Sequence, residues 1–590
     1  MSKRTKRLVA GGAVVAVALG VSAFAVPNAF ADNGVQAAYT EIQLLAVNDL
    51  HGNLEPPSGS SGEIVQVDED GNETTVEAGG IEYLATHLTQ ARQGHDHSLT
   101  VAAGDLIGAS PFLSAAFHDE PTIDAVEALG MDVSAVGNHE FDEGFAELQR
   151  IQNGGCHEVD GCVDPEQPYD GADFPFLGAN VVNKDTGVPE LPPVWIKDFG
   201  DGAKVGFIGM TLEGTGNIVS KAGIADLQFK DEVETANFYT RLLQFAGVES
   251  IVVLLHEGGL PASEAYNYDC DSPGAGDGIS GPIVDIAENL DPEIDMVISG
   301  HTHQAYTCTI PDPSGNPRMV TSGSSFGRLF TEISLMYDPN TNDIAQTYAE
   351  NHVVTRDVTP DPTESEIIAH YSELAEPIAN REVGYISEDL TKGDSEARES
   401  IMGDVIADTQ LAATSDPDTG GAQIALMNPG GVRADILYAS QGPDADGVVT
   451  YGEAFTVQPF NNYLVTVDLT GEQIITLLQQ QFSGPNEEDP QVLQPSAGFT
   501  YTVDESLSGA DKVLVDTVQL NGEPLDPAAS YRVTVNSFLV DGGDGFAVLP
   551  EGQNRLFGPL DIDAFTTWFE TNTSASEPLV TPGADRITFL

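Results

Sequence analysis

The chain has 590 residues, too many for one typical domain, and 41% are hydrophobic, ample for packed cores. Its 92 Asp plus Glu against 23 Lys plus Arg give a net charge of −69. A surface of that sign disfavours nucleic-acid backbones as partners and attracts cations, so an anionic ligand needs positive charge gathered locally.

The first residues read as a targeting leader. Lys3, Arg4, Lys6 and Arg7 form a positive stretch, Leu8 to Val26 is apolar, and Ala29-Phe30-Ala31 fits a small-residue cleavage site. A signal peptide over 1–31 is expected; the apolar run is also long enough for an uncleaved anchor. Removing the four cations takes the charge from −69 to −73. No later apolar run has the length of a spanning helix. The mature chain is therefore expected to be secreted or held at the cell surface without a stable membrane span.

Five short motifs follow in order, each after an apolar run. Ile42 to Val47 precedes Asp49-Leu50-His51, and Leu99 to Ala103 precedes Gly104-Asp105. Val133 to Val136 precedes Gly137-Asn138-His139-Glu140. Ile251 to Leu255 precedes His256-Glu257, and Met296 to Ser299 precedes Gly300-His301-Thr302-His303. Apolar runs that end in turn residues predict interior strands. In layered α/β folds, ligands gather at the carboxyl ends of strands.

Carboxylate, imidazole and amide donors without thiolate suit a hydrolytic centre of two divalent ions, zinc, manganese or similar, and not a closed structural zinc. The predicted partition puts Asp49, His51, Asp105 and His303 on one ion. Asp105, Asn138, His256 and His301 go on the other, with Asp105 bridging through its two oxygens. Paired ions of this kind sit roughly 3.5–4 Å apart. His95-Asp96-His97 lies before a strand and reads as a solvated loop. His87, His118, His157, His352 and His370 lack motif context and are expected to be surface or packing residues.

Other elements are plainer. Alternation from Glu63 to Val76 predicts a hairpin turning at Asp70-Gly71-Asn72. Ser58 to Gly62 reads as a flexible loop. The four cysteines fit export and allow three pairings. Cys156 and Cys162 share one polar loop, which favours Cys156–Cys162 with Cys270–Cys308. Pro360 and Pro362 mark a boundary after Arg356, and Ser365 to Leu374 has the periodicity of a connecting helix, so 357–382 reads as a linker. Beyond Val383 come expected strands Gln423 to Met427, Tyr463 to Leu469 and Tyr531 to Val535. A helix from Gly471 to Gln481 is capped by Thr470.

The order of the metal motifs, and above all the form Asn138-His139-Glu140-Phe141-Asp142, resembles the calcineurin-like metallophosphoesterases. More closely it resembles their secreted 5′-nucleotidase/UDP-sugar hydrolase/2′,3′-cyclic-nucleotide phosphodiesterase family, over nearly the whole mature chain. The resemblance implies a four-layer α/β/β/α sandwich over 40–356 and a C-terminal α/β substrate-binding domain over 383–590. It implies that His139 acts beside the ions instead of ligating them, oriented by Asp142.

Three further stretches resemble the family's substrate site. Arg398, before Ile401-Met402-Gly403-Asp404, and Arg433, in Asn428-Pro429-Gly430-Gly431-Val432-Arg433, are implied to meet phosphate or carboxylate groups, with Asn428 presenting an amide on the same turn. Phe538, together with Phe460 of Gln458-Pro459-Phe460-Asn461, is implied to clamp the base. Asp544, in Asp541-Gly542-Gly543-Asp544-Gly545-Phe546, is implied to bind the ribose. Guanidinium forks suit phosphate oxygens, and stacking is worth ~1–3 kcal/mol for any base. The implied reaction is hydrolysis of nucleoside 5′-monophosphates. UDP-sugars, 2′,3′-cyclic nucleotides and 3′-nucleotides are the near alternatives, and an exported nucleotide-binding protein without turnover is the remote one.

Overall fold

The computed structural model describes residues 39–590, apart from 58, 68–71, 164–167, 201, 220–222, 394, 396–397, 441–444, 461 and 488–489. The expected leader, and Asp70 and Gly71 of the expected hairpin turn, lie outside the described residues.

The first half is built on two six-stranded sheets. In one, Thr40–Val47 lies centrally, parallel to Ser98–Ala102 and antiparallel to Leu329–Asp338. Met131–Ala135 continues that sheet in parallel. In the other, Ile251–His256 runs parallel to Ala203–Thr211 and Met296–Ser299. Side-chain alternation explains why these strands read as unbroken apolar runs, since both of their faces are buried. Ile42, Leu44 and Ala46 meet Phe207, Val252, Leu254 and Ile298 between the sheets. Leu45 and Val47 point the other way, onto Ile81, Leu84, Leu88 and Val126 of helices Ile81–Ala91 and Glu120–Ala128. On the far side, Ile251, Val253 and Leu255 pack on Ala236 and Leu243 of helix Glu232–Phe245 and on Ile283 and Ile286 of helix Pro282–Asn289. The result is an α/β/β/α sandwich.

Strands Glu63–Val67 and Glu73–Glu77 pair as the expected hairpin. Residues Gly59–Gly62, expected as part of a loop, form a short 3₁₀ turn. Disulfides join Cys156 to Cys162 and Cys270 to Cys308. The connecting helix is longer than its predicted core, running Pro362–Ala379 from Asp361, whose carboxylate accepts from the Thr363 N–H at 2.8 Å.

The second half has a five-stranded sheet in the order Gln494–Pro495, Ile424–Met427, Ser530–Asn536, Tyr463–Thr470, Gln553–Leu560. Helix Gly471–Gln480 begins in a capping box between Thr470 and Gln473. Its Ile474, Leu477 and Leu478 pack on Val465, Val467, Val533 and Val535. Helices Ile401–Thr414 and Asp561–Asn572 pack against each other in a second core, through Met402, Val405, Phe565 and Phe569. Among the described residues no helix is long and apolar enough to cross a membrane.

Candidate functional site

The five motifs meet at the carboxyl ends of strands from both sheets. Asp49, His51, Asp105, Asn138 and His256 are each less than 10% exposed. Asp49, His51, Asp105, His301 and His303 all hold left-handed backbone, with φ between 47° and 71°. For residues with a Cβ this costs of order 1–3 kcal/mol each and persists only where surrounding structure enforces it. The enforcement is visible. The Asp49 and His51 N–H groups donate to Gly104 and Asp105 carbonyls at 3.1 and 3.0 Å. The His301 N–H donates to Asp49 Oδ1 at 3.0 Å. The glycines of the motifs make room: a Cβ on Gly137 would lie 2.1 Å from Asp105 Oδ1, and one on Gly104 2.5 Å from the Gly137 nitrogen.

Two ligand sets converge. Asp49, His51 and His303 have ligand atoms within 4.8 Å of one another, as do Asp105, His256 and His301. Asp105 Oδ2 stands between the sets, 2.9 Å from His256 Nε2 and 3.7 Å from His51 Nε2. Asp105 Oδ1 instead accepts the His139 N–H at 2.9 Å. The expected bridge therefore narrows to one oxygen facing both sets.

The chemistry of the donors fits two divalent cations. His51 Nδ1 and His256 Nδ1 donate to the Gly108 and Ala103 carbonyls at 2.9 and 2.8 Å, which turns each Nε2 inward. Asn138 Oδ1 is buried with no hydrogen-bond partner, an orphan acceptor of the sort a cation satisfies. Burial lowers His51 to about 4 and His301 to about 3, holding both imidazoles in the neutral form that binds metal.

His139 sits at the edge of the cradle, its ring 4.9 Å from that of His51. Its Nδ1 lies 2.7 Å from Asp142 Oδ2. Burial opposes its protonation, but the Asp142 and Asp105 carboxylates outweigh that and raise it to about 10. It also lies within ligand reach of His51 and Asp105.

Three positioning residues were given no role by the sequence, although Glu140 lies within a motif. The Glu140 carboxylate accepts the N–H groups of Asp105 at 3.0 Å, Leu106 at 2.8 Å and Gly137, pinning two motif loops together. Asn48 donates to Asp49 Oδ2 and to the Ser324 carbonyl. The Tyr463 hydroxyl, from the second half of the chain, donates to the Asp142 carbonyl. Tyr463 and Leu560 thereby line, with His139 and Asp142, a cavity of about 60 Å³.

The expected substrate residues are only partly gathered. Asn428 Nδ2 donates to Asp544 Oδ2 at 2.8 Å, and Asp544 itself has φ 52°. The Phe538 ring packs against Gly543, one residue before Asp544. The Arg433 guanidinium lies 5.6 Å from the centre of the Phe460 ring. Phe460 and Phe538 are 40% and 48% exposed. Arg398 departs from this group. It pairs with Glu505 at 2.7 Å and stacks on Phe589 at 4.4 Å, in a small sheet where Phe499–Val503 pairs with Ile587–Phe589.

His95 approaches Glu41 and Glu332 at 3.6 and 3.9 Å, away from either ligand set. His118 and His157, expected as surface or packing residues, stack on each other at 3.7 Å, beside the carboxylates of Glu143 and Asp160.

Residues 42–305 match the calcineurin-like phosphoesterase family, and 377–551 match the 5′-nucleotidase C-terminal domain. Endonuclease YhcR of Bacillus subtilis is 32% identical over 553 residues, which are 93% of this chain but only 41% of that protein. Cell wall protein Lmo0130 of Listeria monocytogenes is 32% identical over 559 residues, 91% of this chain and 68% of that protein. The crystal structure of a 5′-nucleotidase precursor from Thermus thermophilus superposes with a TM-score of 0.55 at 25% identity, covering 93% of this chain and 99% of that one.

Proposed function

Because the chain belongs to the 5′-nucleotidase family of calcineurin-like metallophosphoesterases, we propose that it hydrolyses nucleoside 5′-monophosphates to nucleoside and phosphate outside the cytoplasm. The observation that carries this reading is the buried cradle of carboxylates, imidazoles and the orphan Asn138 Oδ1. Asp49, His51, Asp105 and His303 would hold one divalent ion, and Asp105, Asn138, His256 and His301 the other. Two such ions supply Lewis acidity toward water and toward the phosphoryl group.

The protein's own groups do the rest. The Asp142 carboxylate fixes the His139 ring through Nδ1, which leaves Nε2 to face the reacting centre. From there His139 stabilises charge on the phosphoryl oxygens and delivers a proton to the leaving oxygen. Arg433 and Asn428 supply the positive and polar contacts that an anionic substrate needs on so acidic a protein. Phe460 and Phe538 receive the base, and Asp544 the ribose. Arg398 joins them only by leaving Glu505, so its role in this state is to tie the Phe589 strand. Two disulfides and the basic-apolar leader support export.

A phosphodiester reading is favoured by the name of the Bacillus relative, an endonuclease. Rates of the purified mature protein on AMP, UDP-glucose, 2′,3′-cyclic AMP and single-stranded DNA separate the two. AMP is expected to be fastest. Faster turnover of any diester would replace the monophosphatase reading.

A further inference from the structure

Outside the dinuclear cradle, a second set of metal-ligating side chains is drawn together from three chain segments. His118 precedes helix Glu120–Ala128, Glu143 and Glu147 bracket the start of helix Phe145–Asn153, and His157 lies in the loop closed by Cys156–Cys162. One ligand atom of each lies within 4.8 Å of all the others. We propose that His118, Glu143, Glu147 and His157 bind a third divalent cation of zinc type.

The details suit a closed four-ligand site. His118 Nδ1 is 2.8 Å from Glu143 Oε2, and His157 Nε2 is 3.8 Å from Glu143 Oε2 and 3.9 Å from Glu147 Oε2. Ligands held at ~2.0–2.1 Å around a tetrahedral zinc are about 3.3 Å apart, so the two imidazoles, stacked with centroids 3.7 Å apart, must swing apart to aim both nitrogens at one ion. Behind the imidazoles, Asp160 Oδ2 is 3.0 Å from His118 Nε2 and 3.3 Å from His157 Nδ1. One carboxylate thus backs both rings on their far nitrogens, the outer arrangement that orients metal-binding histidines. Arg150 Nε donates to Glu147 Oε1 at 2.8 Å and leaves Oε2 to the site. The disulfide and paired hydrogen bonds between His157 and Gly161, both 3.0 Å, hold the loop in place. His118, Glu147 and His157 are mostly buried, and Glu143 closes the exposed side of the set. Glu143 follows Asp142 directly, so the ion would brace the segment that orients His139 without touching the reacting atoms.

The test is zinc stoichiometry by elemental analysis after equilibration at buffered, micromolar free zinc. Wild-type protein should retain three ions per chain, His157→Ala two, and Asp105→Ala one. The milder Glu147→Gln should also lose one ion and guards against a folding defect in the histidine variant. In the Asp105→Ala background, added zinc should raise the melting temperature, and the rise should vanish with His157→Ala. Two ions in the wild type, none in Asp105→Ala, or a melting response indifferent to His157 would each overturn the proposal.

Discussion

At the cradle, Asp49, Asp105 and His256 are at most 1% exposed, whereas Phe460 and Phe538 leave 40% and 48% of their surface in solvent. Every cradle histidine whose Nδ1 meets a backbone carbonyl is oriented before any ligand arrives, and Asp49 and Asp105 are locked by N–H groups from other motifs. In the second half, Asn428 and Asp544 hold each other, while the rings rest on a glycine and a guanidinium. On the proposed function, the contrast follows from the task. Charge stabilisation needs donors fixed in advance in a dry site, whereas a base recognised by its π-face needs open faces waiting for it.

The contrast can be broken by experiment, and Asp105 is the severest place to try. Asp105→Ala removes the oxygen shared by both ligand sets, so hydrolysis of every substrate should fall to background, with loss of both cradle ions by elemental analysis. Full activity in a metal-free preparation of that variant would end the two-ion assignment. His139→Ala should come next, losing ~10²–10⁴ in rate while both ions stay, if its part is proton transfer. Loss of metal with the rate per bound ion unchanged would make His139 a ligand. Single-turnover kinetics beside metal analysis distinguishes the two.

Smaller effects probe the open region. Phe538→Ala should lower kcat/KM for AMP by roughly 5- to 150-fold, the equivalent of ~1–3 kcal/mol of stacking, and spare a small aryl phosphate without a base. Equal losses on both substrates would withdraw the clamp. Smallest of all, Tyr463→Phe removes one hydrogen bond between the regions, worth about 0.5–1.5 kcal/mol, and should slow AMP and aryl phosphate alike by roughly 2- to 10-fold. A loss confined to AMP would place Tyr463 with the base-binding group instead of with Asp142.

Much of this was legible in the chain because a strand buried on both faces prints as an apolar run, and its end prints as a turn carrying the ligand. Asp49, Asp105 and His301 are of that kind. Thr470 was legible for a different reason, since caps are local. The role of Glu140 was not, although the residue sits in a motif, because a buried carboxylate that accepts backbone N–H groups looks like any Glu until the Asp105 and Gly137 loops are brought beside it. Tyr463 belongs to a strand whose register gives no sign of the other domain. His118 and His157 stand 39 positions apart in the sequence with no shared motif, and only the packing of two helices and a disulfide loop makes them neighbours. Arg398 shows the opposite failure: a motif matched, yet Glu505 and Phe589, more than 100 residues away, hold its guanidinium in this state.

The left-handed backbone at Asp49, His51, Asp105, His301 and His303 has a consequence for how the protein comes by its cofactors. Those conformations are enforced by partners on other strands of both sheets, so the cradle does not exist in the unfolded chain, and metal binding is tied to the end of folding. A chain that crosses a membrane unfolded would cross it without its ions. The metals would then be selected by what the outer medium holds, and not by the supply within the cell, so the same polypeptide would mature into a different metalloform wherever that medium changed.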